Sequence, residues 1–473
     1  MLWLSLYFPK LSLEVWERGS QKNLALAVTD RQQIVARNDL AAAAGVEAGM
    51  LPSAAQALCV DLRLFPLDAS AEQAALLDLG GWASQFTDRL CLRPPRTLLL
   101  EIAGSLRLFG GLRPLLTQIS DGLETLGYRV RTGLAPTPMG AWLLSRLGQQ
   151  TTTRQGLQRL LLQLPCRLLP LDEKRQSILS GLGLDTLGDC ARQPRAGLAR
   201  RLGPDLLDCI DRALGKSPDT PALLRLPTSF QQKLSLPAAV VGVEPLLFAS
   251  RRLLTSMEGY LRAREQGVQQ FELRLDHQPT GSTLVQVGLV MPSRDAAHLL
   301  TLLRDRLDNC ALDGPVESIS LLASNLCALE PAPALLFDEH RPVAGDWSKL
   351  VDLLHGRLER EQVHGIRMTA DHRPEYAWRA CPPGSGKAVK HAWPALRPSW
   401  ILPEPLPLNA MRCGDYLTGK LFLRRGPERL EGGWWDGKDI YRDYYEVEAP
   451  DRARLWVYQD RRSGDWFLQG YFG

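Results

Sequence analysis

Apolar positions in this chain fall into short continuous runs and into helically spaced rows, and over the first third the two patterns alternate. Leu2 to Tyr7 is an apolar run broken only by Ser5, of strand length and hydrophobic enough to be buried on both faces. The stretches LALAVTD (24–30), TLLLEIAG (97–104) and YRVRTGLA (128–135) predict further strands, and apolar rows over 70–86, 112–126 and 139–147 predict helices. This alternation, over 1 to about 165, predicts a mixed sheet covered by helices. Residues 166–230 carry helical spacing alone, in short pieces. There Gly181 and Gly183 interrupt one helix and Thr186 is placed to cap the next.

A clearer module follows at 231–332. A strand around KLSLPAAVVG precedes a helix over 245–265. Two strands come next, then a helix over 295–307 and a last strand, VESISLLASNL. The order β-α-β-β-α-β is the ferredoxin-like, split βαβ arrangement. Within 333–373, Trp347, Leu350, Val351, Leu354 and Leu358 predict one stripe of an amphipathic helix. Eight prolines between 374 and 407 predict a linker, partly polyproline II, over 374–419. The Trp- and Tyr-rich segment 420–473 reads as a small antiparallel β-rich module with a hairpin turning at Ser463-Gly464. The whole is an α+β multidomain chain.

Composition narrows the function classes. At 473 residues the chain exceeds a single core, and 45% hydrophobic with 23% charged residues is that of a soluble globular protein. A net charge of +4 is compatible with nucleic acid without demanding it. Nine cysteines stand singly, with no metal-ligand spacing, as expected of reduced thiols in a cytoplasmic protein. No apolar run reaches the roughly 18 residues of a membrane span, and signal-peptide features are missing. PPGSGKA (382–388) fails as a phosphate loop, because Cys381 stands where the first Gly should and Ala388 follows Lys387. The seven histidines are dispersed and there is no Gly-x-Ser-x-Gly elbow, so the residues point to no metal and no cofactor.

Three stretches say more: VARNDLAAAAGVEAGMLPSAAQALCVDLRLFP (35–66), LLLEIAGSLRLFGG (98–111) and GLAPTPMGAWLLSR (133–146). They resemble the fingers and palm motifs of the Y-family translesion DNA polymerases. The hairpin at 181–194 is similar to that family's thumb, and the split βαβ module matches its little finger in order and position. The resemblance implies a palm from 1–10 and 75–165, fingers from 11–74, a thumb from 166–230 with a helix-hairpin-helix-like motif, and a little finger from 231–332.

The chain departs from the family where the chemistry is done. The first-strand Asp position holds Tyr7, and an adjacent Asp-Glu pair falls on Arg96 and Thr97, leaving only Glu101. The fingers Tyr and Arg that hold the incoming triphosphate fall on Asp39 and Ala42, and a palm Lys falls on Pro138. Phosphoryl transfer with two Mg²⁺ ions needs several carboxylates converging on both metals, and losing an Arg removes a bidentate phosphate clamp. The resemblance therefore implies a pseudo-polymerase, not an enzyme. The alternative is an active low-fidelity polymerase in which Glu14, Glu17, Asp39 or Glu101 serve instead.

RPEYAWRACPP, RPSWILPEPLPL and GPERLEGGWWDGKDIYRDYYEVE closely resemble the C-terminal region of the catalytically inactive members of bacterial mutagenesis cassettes. That extends the resemblance over nearly the whole chain. It implies a scaffold of DNA-damage-induced (SOS) mutagenesis that binds DNA, the β sliding clamp, a RecA-like partner (ImuA) and an error-prone C-family polymerase. The clamp peptide expected of such a scaffold falls on PALLF (333–337), anchored by Leu335, Leu336 and Phe337, or on the rival QQKLSL (231–236). Expected DNA contacts are the hairpin backbone at Gly181 and Gly183, with Lys233, Arg251, Arg252 and Arg274. Expected docking residues in the tail are Trp434, Trp435, Tyr444 and Tyr445.

Overall fold

The computed structural model describes residues 1–20, 24–279, 281–329, 344–358, 362–383, 397–408 and 421–472. The chain forms two units, Met1–Gly356 and Arg357–Gly473. The first begins with β1 (Trp3–Tyr7) and α1 (Leu11–Glu17). A small three-stranded insertion follows: β2 (Leu26–Asp30), β3 (Gln33–Arg37), α2 (Asp39–Ala43), α3 (Pro52–Leu58) and β4 (Arg63–Pro66), with sheet order β3-β2-β4. Asn38 ties this insertion together, because its Oδ1 accepts from the amides of Ala41 (3.0 Å) and Leu26 (3.2 Å), capping α2 and starting β2.

The chain then returns as α4 (Ala69–Ala83), β5 (Leu90–Arg93), β6 (Thr97–Glu101), α5 (Leu112–Leu126), β7 (Arg131–Ala135) and α6 (Pro138–Ser145). These strands build an antiparallel sheet in the order β5-β6-β1-β7. Its two faces explain the near-continuous apolar character of β1. Leu4, Leu6, Leu98 and Leu100 pack against Leu76, Leu79, Leu115 and Ile119 of α4 and α5. Trp3, Leu99 and Ala135 pack on the other side, against α6 and the helices beyond it. At Gly133 in β7 any Cβ would collide with the backbone of Ala141 and Ser145, so glycine lets α6 lie directly on the sheet.

Five helices follow: α7 (Arg154–Leu162), α8 (Glu173–Gly181), α9 (Leu187–Arg192), α10 (Arg195–Leu202) and α11 (Pro204–Leu214). Gly183 turns the α8–α9 connection at φ +66°, and Thr186 caps α9 in a reciprocal box with Asp189. The next module is β8 (Phe230–Val240), α12 (Val243–Arg262), β9 (Gln266–His277), β10 (Ser282–Ser293), α13 (Ala296–Asp308), β11 (Val316–Ala323) and the short β12 (Leu326–Ala328). Its sheet runs β10-β9-β11-β8, antiparallel throughout, with β12 on β9. Each βαβ unit is split by one intervening strand, as the element order implies.

This module docks on the first sheet's helices. Trp82 of α4 fills the space that a side chain at Gly122 of α5 or Gly259 of α12 would need. Nearby, Arg18 donates to the carbonyl of Leu126 (2.9 Å) and to the Tyr128 hydroxyl, while Arg252 of α12 donates to the carbonyl of Arg18. Glu14 is drawn into the same junction. Its Oε1 accepts from the Arg129 amide at 2.8 Å, and its Oε2 is buried with no partner. Burial pushes this carboxyl up to about 7, against the pull of the Arg129 amide. Between the ordinary 4.5 and about 7 the folded protein holds a proton that the unfolded chain releases, so this group lowers stability as pH rises through that window. Glu14→Gln should therefore raise the melting temperature at pH 8, by up to about 3 kcal/mol of stability, with the gain gone at pH 4. A gain of equal size at both pH values would reject this.

Helix α14 (Ala344–Arg357) packs on this module with a face different from the one its apolar stripe predicts. Val351 is buried as expected, but Trp347, Leu350 and Leu358 are exposed. Asp352 goes inward instead, accepting from His298 (2.9 Å) and from the Val290 amide (2.7 Å). A buried polar pairing has set the helix rotation.

The second unit holds β13 (Gly365–Met368) paired with β14 (Trp378–Cys381), and a five-stranded antiparallel sheet. The sheet is built from β15 (Trp400–Pro407), β16 (Phe422–Gly432), β17 (Ile440–Glu448), β18 (Arg454–Asp460) and β19 (Trp466–Tyr471), in the order β15-β19-β18-β17-β16. The expected linker over 374–419 is thus partly ordered, since β14 and β15 both lie in it. Prolines 403, 405 and 407 are tolerated because β15 is an edge strand whose pairing is interrupted between Ile401 and Leu406. The hairpin expected around Ser463-Gly464 is present as β18 and β19.

Candidate functional site

The end of the first sheet carries one row of side chains across all four strands. Tyr7 pairs with Thr97 on one side and Arg131 on the other, and Thr97 pairs with Arg93. Directly opposed residues share a face of a sheet, so Arg93, Thr97, Tyr7 and Arg131 form a continuous line. Arg146, capping the C-terminus of α6, lays its guanidinium 4.0 Å from the centre of the Tyr7 ring and 5.0 Å from that of Trp142. Arg93 covers Trp142 at 4.0 Å. The result is a ladder of alternating cations and rings, Arg93–Trp142–Arg146–Tyr7, each rung worth roughly 0.5–1 kcal/mol or more where desolvated.

Acids near this end are engaged elsewhere. Arg96, one residue before β6, turns to α4 and pairs with Glu72 at 3.1 Å, so it is not the cation of this row. The positive charge of the row comes from Arg93, Arg131 and Arg146. Glu101 opposes Trp3 at the far end of β6. Four residue steps along the strand separate it from Thr97, about 13 Å. Its Oε1 accepts from the amides of Leu2 (3.1 Å) and Ala103 (3.3 Å), a structural duty. Asp39 lies exposed between Lys10 (2.7 Å) and Arg129 (2.9 Å), which hold its carboxyl below the usual range. Ala42 lies in α2, and Pro138 is the buried first residue of α6. Among the described residues, no group of three or more His, Cys, Asp or Glu is arranged to hold a metal ion.

The expected DNA contacts divide. Gly181 and Gly183 are exposed, with nothing near the position of a Cβ. The amides of Leu182, Gly183 and Leu184, however, bond to carbonyls of α8. Lys233 and Arg274 lie on one side of the β8–β11–β9 sheet, each opposite Ser320, and both lean on Asp276, at 3.2 and 2.9 Å. Arg251 is exposed on α12. Arg252 is not a surface contact: its bond to the Arg18 carbonyl places it in the junction, where burial and the charge of Arg18 lower its pKa to about 10.

QQKLSL lies within β8, an edge strand paired to β11 with Leu234 and Leu236 buried beneath it, so it is not a free peptide. Leu335, Leu336 and Phe337 lie outside the described residues. In the tail, Trp434 and Trp435 are 79% and 61% exposed on the turn between β16 and β17. Asp436 of that turn is gripped by Arg373, through bonds of 2.9 and 2.7 Å. Tyr444, by contrast, is 1% exposed and stacks on Trp456 at 4.2 Å, while Tyr445 is partly buried against Trp466. Tyr444 is therefore core and not a docking residue. Strand alternation separates such neighbours, but the sequence alone does not say which faces inward.

Residues 11–146 match the impB/mucB/samB family. The chain is similar to Protein ImuB of two Caulobacter vibrioides strains, NA1000 / CB15N and ATCC 19089 / CIP 103742 / CB 15. Each is 27% identical over 463 residues, covering 91% of this chain and 100% of the relative. Similar solved structures include an insertion ternary complex of Dbh DNA polymerase (17% identity, TM-score 0.39) and DinB from Sulfolobus solfataricus (15%, 0.37). Each comparison covers 70% of this chain and 100% of the solved one.

Proposed function

We propose that this ImuB-like chain is a non-catalytic, DNA-binding scaffold of a DNA-damage-induced translesion synthesis complex. On this reading it joins the β sliding clamp, a RecA-like accessory protein (ImuA) and an error-prone C-family polymerase, which does the synthesis. The observation that carries the reading is the row Arg93, Thr97, Tyr7, Arg131: where paired Mg²⁺ would need converging carboxylates, there are cations, a hydroxyl and a ring. Similarity to Protein ImuB along nearly the whole chain supports the same role.

DNA binding on this reading falls to the exposed Arg251, the α8–α9 hairpin and the sheet carrying Lys233 and Arg274. Because Asp276 already neutralises part of that sheet's charge, contacts to phosphate are few and binding is sequence-independent and modest. With QQKLSL paired into β8 and its leucines in the core, PALLF is the clamp peptide on this reading. A pull-down with the clamp tests the assembly. Leu336→Ala with Phe337→Ala should lower clamp capture at least tenfold and leave filter binding of DNA unchanged, with DNA affinity falling as salt rises. Undiminished clamp capture would overturn the assignment of PALLF. DNA binding that is absent at low salt would overturn the DNA-binding role.

A further inference from the structure

Three arginines surround the end of the first sheet, and their situation differs from that of their neighbours. Arg96 has Glu72, Arg129 has Asp39 and Arg212 has Asp208. No carboxylate pairs with Arg93, Arg131 or Arg146 among the described residues; their contacts are aromatic rings and one backbone carbonyl. Asp219 acts on Arg93 from a distance, and its Oδ2 already accepts from the Met139 amide at 2.8 Å. Two buried polar atoms at the same place have no hydrogen-bond partner: the hydroxyl of Thr97, whose residue is wholly buried, and Nε of Arg146. Both atoms are enclosed, so what the row offers a ligand is the unmatched positive charge of its arginines, which is chemically suited to an anion.

We infer that this end of the sheet binds a phosphate group without metal, with Arg131 and Arg146 as its donors. Arg131 is exposed and free to approach. Arg146 is fixed between the Tyr7 and Trp142 rings, so less side-chain freedom is lost on binding. Arg93, on the far side of Trp142, adds charge. Planar guanidinium groups match phosphate oxygens in a way that a metal-binding corner would repel. The phosphate belongs either to a nucleic-acid strand or to a free polyphosphate such as a nucleotide tail. The inference stands on the geometry of this sheet alone, independently of the clamp and partner contacts proposed above.

Calorimetric titration of the full chain with inorganic tripolyphosphate, in EDTA, tests it, alongside titration with a single-stranded oligonucleotide. Saturable tripolyphosphate binding without metal, weakened at least tenfold by Arg131→Glu and by Arg146→Gln and kept by Tyr7→Phe, is expected if free polyphosphate is the ligand. If a strand supplies the phosphate, oligonucleotide affinity falls at least tenfold in Arg131→Glu while tripolyphosphate does not bind. Arg131 is exposed, so its replacement leaves the fold intact, which an unchanged melting temperature checks. Binding that requires Mg²⁺, or affinities for both probes that ignore Arg131→Glu, would overturn the inference.

Discussion

Purified protein given primer–template, four deoxynucleoside triphosphates and Mg²⁺ should extend no primer, and Tyr7→Asp combined with Thr97→Glu should not restore extension. Those two positions face each other across β1 and β6, so acids placed there would stand side by side as a metal pair requires. They would still sit between Arg93 and Arg131 and beneath Arg146. The new carboxylates would form ion pairs with those guanidinium groups in place of chelating Mg²⁺. Two-metal catalysis would remain absent, a deficit on the order of 10⁶-fold or more against a working polymerase. Primer extension on denaturing gels, with Mg²⁺ and with Mn²⁺, is the measurement. Template-directed incorporation that disappears in Glu101→Gln or Asp39→Asn would show that displaced acids do the chemistry and would defeat the scaffold reading.

Glu375→Ala should unfold the C-terminal sheet while leaving the first unit's melting transition in place. Glu375 forms an ion pair with Arg442 and accepts from Gln469 Nε2 at 2.9 Å, and Gln469 Oε1 accepts from the Tyr444 hydroxyl at 2.9 Å. This buried polar network ties the segment before β14 to β17 and β19. Removing the acid leaves the Arg442 charge without a carboxylate, held only by the Tyr444 hydroxyl (3.0 Å), Gln469 Oε1 (3.3 Å) and the Tyr458 ring, which costs up to about 3 kcal/mol, a large share of the stability of a small module. A truncation at 375 would cut this network, so deletions meant to separate docking from DNA binding should begin before β13. Trp434→Ala and Trp435→Ala, on an exposed turn, should lower partner capture without moving either melting transition. Limited proteolysis and calorimetry distinguish the two classes. An unaltered tail transition in Glu375→Ala would refute the structural role.

Much of the fold was legible because long elements advertise their period. Leu112–Leu126 matches its predicted helix to the residue, and the order of β8 through β11 with two intervening helices follows the apolar pattern. What went unread was short or set by pairing. β3, β4 and β5 have only four or five residues each, with apolar runs of no more than three, too short to show a period. β15 was masked by its prolines, which an edge strand accepts. In the candidate site, Tyr7 and Thr97 were found from the motif, while Arg93, Arg131 and Arg146 were missed. Nothing along the sequence relates positions 7, 93, 131 and 146, and only cross-strand pairing and the packing of α6 bring them together.

Set against the motifs it resembles, the sequence by itself put Tyr7, Arg96 and Thr97 at positions where acids were expected, since that depends only on which side chains the motif positions contain. The direction in which each neighbouring arginine points was decided by tertiary structure. Arg96 answers to Glu72 on α4, Arg252 to the carbonyl of Arg18, and Arg146 to the ring of Tyr7. The physical reason is that a long charged side chain goes where a partner offsets its desolvation, and partners are supplied by residues far away in sequence.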